Sequence, residues 1–304
     1  MKHSIKVTIF LLILFVLSQV IGLFLLDTTI DPIKSAATGK TEFKELAFGE
    51  RPPLEEETSY LPMVITILVG TVIMLLLIKF KLLWIWKIWF TFAVVFSLTI
   101  ALAVLVPVVW AFAIALIFGI WKVFFPHFWV HNITEVLIYP GIGLIFVHLL
   151  NLFSVSVLFV LISIYDAYEV WKSKHMVKLA QAQAESKVFA GLLVPYNFKL
   201  EKTEEKVKVM AHGSTLHQSA PRMVKVQTAM LGGGDIGFPL LFSGVVLKEM
   251  GLWQSFVVVG FATAALAFLF WIGKKEKFYP AMPFLAVGCF VGLGVAWVVM
   301  RLML

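Results

Sequence analysis

Long apolar runs, each near the length of a membrane crossing, alternate along this chain with short polar breaks. A run must reach about 20 residues to cross a hydrocarbon core about 30 Å thick. Nine runs come at or near that length: Val7 to Leu26, Leu61 to Ile78, Trp84 to Val106, Val108 to Phe125, Ile133 to Leu150, Leu152 to Tyr168, Val226 to Leu247, Trp253 to Ile272 and Ala281 to Leu304. Only Pro107 divides the third from the fourth, and a broken helix pair there still needs two crossings. The pattern predicts an all-α polytopic membrane protein of nine transmembrane helices, integral to a lipid bilayer.

Two polar segments divide the array. The first, 27–60, carries Asp27, Asp31, Glu42, Glu45, Glu50 and Glu55-Glu56-Glu57, and reads as an acidic external loop, with a lid over a substrate entrance as the sharper alternative. The second, 172–222, reads as a basic cytoplasmic linker with a short helix near 175–187 and a strand or interfacial segment at Val188 to Val194. This gives a six-span N-terminal unit (1–171), the linker, and a three-span C-terminal unit (223–304). Met223 to Thr228 alternates with a period of two, so Val224 and Val226 share one side of a predicted strand that opens the seventh span.

Composition excludes a soluble globule: 61% of residues are hydrophobic and the mean hydropathy is +0.95. The net charge of +7 matters through its placement. Lys and Arg collect on the cytoplasmic side, and a cytoplasmic N-terminus puts 19 of the 25 basic residues there. Nine spans then put the C-terminus outside. The first run is too long for a signal-peptide core and reads as a retained anchor. The single cysteine, Cys289, excludes an intrachain disulfide. No aromatic-basic surface suggests nucleic acid.

Two acids interrupt these apolar runs: Asp166, near the cytoplasmic end of the sixth span, and Asp235, about ten residues beyond Lys225 in the seventh. A mid-membrane aspartate costs roughly 3 kcal/mol, so its retention points to function. Both fall in the cytoplasmic half, within about two helical turns of one level. Brought to about 4 Å, two carboxylates repel by about 4 kcal/mol at an effective dielectric near 20, so one proton is shared. That state serves aspartic proteolysis: the ionised member draws a proton from water while the protonated member binds the scissile carbonyl.

The backbone around the acids is irregular. Gly232, Gly233 and Gly234 precede Asp235 and permit close approach of a substrate or a helix. Pro239 opposes the carbonyl of Asp235, four residues earlier, and predicts a kinked or loosened helix there. Pro280, Ala281, Met282 and Pro283 open the last span at the same depth and are expected to line the same cavity. An unwound substrate needs its backbone groups paired in hydrocarbon, which strand addition would supply.

Tyr165-Asp166, Gly232-Gly233-Gly234-Asp235 and Pro280-Ala281-Met282, in this order, resemble the presenilin and signal peptide peptidase family of intramembrane aspartyl proteases. The likeness covers nearly the whole chain. It implies that Asp166 and Asp235 form the catalytic dyad, and that Pro280, Ala281 and Met282 correspond to the family's PAL motif, which shapes the site and helps seat substrate. Met282 replaces the usual leucine at similar volume, and Gly233 fills a variable position, often leucine, that bears on substrate preference. The Pro239 side of the motif is similar to signal peptide peptidases, the orientation and acidic loop to presenilins, a mixture that fits an archaeal presenilin homologue in a cell membrane. The implied partners are transmembrane protein substrates; accessory subunits, which presenilins use, have no sign in the sequence.

Two rival readings remain at this stage. An ion leak or proton-coupled transporter would bind its ion at Asp166 and Asp235, although no repeated halves are visible. A prepilin-peptidase-like protease also carries a GxGD motif, but the proline-bearing last span argues against it. No His-Glu-x-x-His or Gly-x-Ser-x-Gly is present, and His127 and His131 read as interfacial, so neither metal nor cofactor is expected.

Overall fold

The computed structural model describes residues 5–46, 49, 56–80, 82–125, 127–173, 189–195, 228–273 and 279–303. It is an all-helical bundle with one short hairpin. The elements are α1 (Ile5–Thr28), α2 (Pro32–Thr38), α3 (Tyr60–Lys79), α4 (Leu83–Ala103), α5 (Val108–Phe124), α6 (Phe128–Phe146), α7 (Leu152–Tyr168), β1 (Gly191–Pro195), β2 (Thr228–Gly232), α8 (Gly234–Met250), α9 (Leu252–Ile272) and α10 (Met282–Met303). A single turn of 3₁₀-helix follows α6, and a π-helical turn, Glu169–Ser173, extends α7.

Each of the nine apolar runs holds one of the long helices. By length and composition, α1, α3, α4, α6, α7, α9 and α10 can cross a membrane. The other two, α5 and α8, have 17 residues each, and rise about 26 Å. The seventh run departs most from expectation: its helix starts at Gly234, and Thr228–Gly232 is strand. Glycines at 232–234 weaken helix, and pairing with β1 satisfies the backbone instead. The helix expected near 175–187 and the residues Val224 and Val226 lie outside the described residues.

At the centre stands α1, packed on α6, α8 and α9, with Leu11, Phe15 and Leu23 fully buried. Its polar residues Ser18 and Gln19 are equally buried and bridge to neighbouring backbones. Pro140, inside α6, removes the N–H that would bond the Val136 carbonyl. The Ser18 hydroxyl donates to that carbonyl at 3.2 Å, restoring the lost bond from another helix. Gln19 Nε2 donates to the Ile236 carbonyl at 2.9 Å, next to Asp235. A second cluster, Val94, Val95, Leu98, Ala115 and Ile138, joins α4, α5 and α6. There α4 and α6 approach so closely that a Cβ on Gly141 would stand 2.0 Å from the Ser97 carbonyl oxygen.

Antiparallel α7 and α8 are tied at one end by the Leu152 amide, which donates to the Glu249 carboxylate at 3.3 Å. At that end Lys248 pairs with Glu56 at 2.8 Å, and the Thr41 hydroxyl donates to the Lys248 carbonyl at 2.6 Å. Thr41 and Glu56 are thereby held at the end opposite the two acids. Asp166 is fifteen residues along α7 from Asn151, about 22 Å of helical rise.

Candidate active site

Phe159 of α7 packs against Phe242 of α8 with ring centroids 5.4 Å apart, and Phe290 of α10 meets both, at 6.5 and 5.4 Å. This aromatic cluster fixes the three helices that carry the predicted motifs. Asp166 follows Phe159 by seven residues and Asp235 precedes Phe242 by seven. Because the helices are antiparallel, both acids lie about 10 Å to the same side of one contact, and hence at one level. Both are half-buried.

Each acid meets backbone that the sequence had singled out. The Asp166 carboxylate accepts the Met282 amide at 3.1 Å, with the Ala281 amide also directed at it. Met282 opens α10, so Asp166 satisfies one of the N–H groups a helix start leaves unpaired. Pro280 and Met282 are buried beside it, Ala281 less so. Asp235 lies in the first turn of α8, where the carboxylate crosses over Gly232: a Cβ there would stand 3.3 Å from Oδ2. Gly233 faces Tyr139 and Gly234 faces Phe238. Pro239 falls in the second turn of α8, and regular helix begins beside the acid.

The hairpin leads into Asp235. Its strands are antiparallel, with Gly191 opposite Gly232 and Leu193 opposite Met230. Leu192, Val194, Ala229 and Leu231 are buried on one face, whereas Met230 is 53% exposed on the other. The Asn132 side chain donates to the Leu193 carbonyl at 2.9 Å and accepts its amide at 3.0 Å, as a neighbouring strand would. His131 Nε2 meets the Gly191 carbonyl at 2.8 Å. Thus α6 closes the outer edge of β1. By the antiparallel pattern, Met230 and Gly232 then turn their N–H and C=O groups away from β1, so β2 offers an edge with no strand partner among the described residues. The φ of +138° at Gly191, with the Leu231 carbonyl 2.1 Å from where a Cβ would stand, restricts that position to glycine.

Asn132, His131, Glu135 and Tyr139 were not expected at the site. His131 is buried against β1, while His127 is exposed. Glu135 could have been found by the rule that singled out the two aspartates, since it interrupts the fifth apolar run. Among the described residues no group of three or more His, Cys, Asp or Glu is placed to hold a metal ion.

Long apolar helices packed together, with two acids at one level and a strand edge that has no strand partner among the described residues leading to one of them, are what an intramembrane protease needs. The family model described as signal-peptide peptidase, presenilin aspartyl protease matches residues 12–302, and the chain belongs to that family. Two solved structures of a presenilin family intramembrane aspartate protease are similar in fold. One, in space group C222, has a TM-score of 0.63 at 18% identity, covering 96% of this chain and 99% of that one. The other, in space group P2, has a TM-score of 0.58 at 19% identity, covering 95% and 96%. No curated protein sequence matches the chain. The protein is an intramembrane aspartic protease, a peptide hydrolase integral to the membrane, and neither the ion-transport nor the prepilin-type reading finds support.

Proposed function

We propose that Asp166 and Asp235 are the catalytic dyad of this protease, cutting peptide bonds within transmembrane helices. The observation that carries this is their common level, seven residues from the Phe159–Phe242 contact, with the Met282 amide on Asp166. The pair acts as a unit holding one proton. Its ionised carboxylate takes a proton from water, and the oxygen of that water attacks the scissile carbonyl. The protonated carboxyl hydrogen-bonds the carbonyl oxygen as it gains charge. The tetrahedral diol then collapses, and the amine leaves with a proton returned by the pair.

Substrate pairs as an added strand on the open edge of β2, which supplies the backbone hydrogen bonds an unwound helix loses in hydrocarbon. Gly232 and Gly234 leave room for it beside Asp235, Gly233 lets the turn run close against Tyr139, and Pro280, Ala281 and Met282 form the facing wall. Val224 and Val226 would extend the same strand. All nine long helices cross the bilayer, α5 and α8 as short spans, with the N-terminus cytoplasmic and the C-terminus outside. The acids then lie in the cytoplasmic half and the 27–60 loop outside, which agrees with their placement at opposite ends of α7 and α8. Substrates are single-pass helices cut near their cytoplasmic ends.

Reconstituted in liposomes, the protein cleaves a transmembrane substrate, and Asp166→Ala or Asp235→Ala each abolishes cleavage while a hydroxyl-bearing peptide isostere still protects the wild-type chain from labelling. Ion flux without cleavage would return the assignment of the two acids to transport.

A further inference from the structure

Lys122, in the last turn of α5, forms an ion pair with Glu135 of α6, and the two side chains are 2% and 1% exposed. Apolar residues of the same size would pack there without taking charge out of water, so the pair's presence inside the bundle calls for a role. The proposed chemistry at the two aspartates uses neither residue. The second Glu135 oxygen accepts the Tyr139 hydroxyl, one turn further along α6. Tyr139 in turn stands against the glycine turn: a Cβ on Gly233 would lie 2.7 Å from its hydroxyl oxygen, and one on Gly237 would lie 3.5 Å from its ring. It is also within electrostatic reach of Asp235.

We infer that Tyr139 is a positioning residue for Asp235, its hydroxyl held by Glu135 and Glu135 held by Lys122. The need follows from the sequence of the turn. Three successive glycines carry no side chains by which the fold could grip them, and each is free to adopt many backbone conformations. A rigid wall behind Gly233 and Gly237 removes that freedom at the residue that must meet water and substrate. The ring alone could swing away; its anchored hydroxyl prevents this. Lys122 keeps the anchor neutral overall, so that a third unbalanced carboxylate does not bear on the aspartate pair. It also explains why Gly233 bears no side chain in this chain: Tyr139 occupies the space.

The inference rests on Asp235 being catalytic, so Asp235→Ala is measured alongside; if that variant stays active, the dyad assignment fails first. The test compares kcat, KM and thermal unfolding of the reconstituted full chain. Tyr139→Phe lowers kcat about ten- to a hundredfold with KM and unfolding temperature nearly unchanged, as a small displacement of a reacting group does. Lys122→Met with Glu135→Leu removes both charges and the acceptor, and lowers kcat equally. Lys122→Met with Glu135→Gln keeps an amide oxygen for the hydroxyl and restores most of the activity. Wild-type kcat in Tyr139→Phe, or in the Leu double variant, overturns the inference. So does equal loss in the Leu and Gln double variants, because the hydroxyl acceptor would then not be what matters.

Discussion

The backbone amide of Met282 donates to the Asp166 carboxylate over 3.1 Å and ties the start of α10 to the end of α7. A hydrogen bond to a charged acceptor is worth about 1.5–3 kcal/mol, ten- to about a hundredfold in rate if it is needed to aim the acid. Met282→Pro deletes the donor at the first helical position, where proline is tolerated. Met282→Ala keeps the donor and removes only the side chain. Cleavage by the proline variant is expected to fall at least about tenfold below that of the alanine variant. Equal activities in a liposome assay would remove the amide from the mechanism.

The open edge of β2 makes a second contrast. Met230 directs its N–H away from β1, so Met230→Pro spares the hairpin and deletes one bond to an added strand. Ala229→Pro, one residue earlier, deletes a bond within the hairpin. Substrate KM is expected to rise in Met230→Pro with the unfolding temperature unchanged, whereas Ala229→Pro lowers the unfolding temperature. Unchanged KM in Met230→Pro would place the substrate on some other surface.

Asn132 serves β1 as a substitute strand, through two bonds to Leu193. Asn132→Leu keeps the side-chain volume and loses both, so β1 and the β2 edge beside it are less firmly placed. Mass spectrometry of the products is expected to show one main cut in the wild type and cuts at several neighbouring bonds in the variant. A single unchanged cut would show that register is set elsewhere.

Ser18 and Pro140 form a compensating pair across α1 and α6. Ser18→Ala strands the Val136 carbonyl and is expected to cost about 1–3 kcal/mol. Pro140→Ala returns an N–H within α6, so Ser18→Ala costs less in that background. Thermal unfolding of the four proteins in detergent gives the coupling, and a coupling near zero would mean the carbonyl is satisfied otherwise.

Much of this protein was legible because a membrane leaves few solutions. Runs such as Leu152 to Tyr168 and Trp253 to Ile272 must be helices, since hydrocarbon offers no partner for an open backbone, and the structure places helices there to within a residue. Asp166 and Asp235 stood out because ionised groups are expensive in such runs, and Pro280-Ala281-Met282 because its irregular backbone lay at their depth. Alternation marks a strand at Met223 to Thr228 as the opening of the seventh span, but not its extent: the described strand is Thr228–Gly232, because its pairing with β1, nearly 40 residues away, is set by tertiary contact.

The order of spans, the two acids and the motif that meets one of them were determined by the chain alone, through local energies: the cost of charge in lipid, of glycine in a helix and of proline within one. Tertiary structure alone decided what closes each edge and fills each gap. Asn132 as a strand, Ser18 as the missing partner of Val136, and the Lys122–Glu135–Tyr139 chain behind Gly233 each join residues on separate elements. A polar side chain in an apolar run announces that it needs a partner, but only packing determines which one it finds.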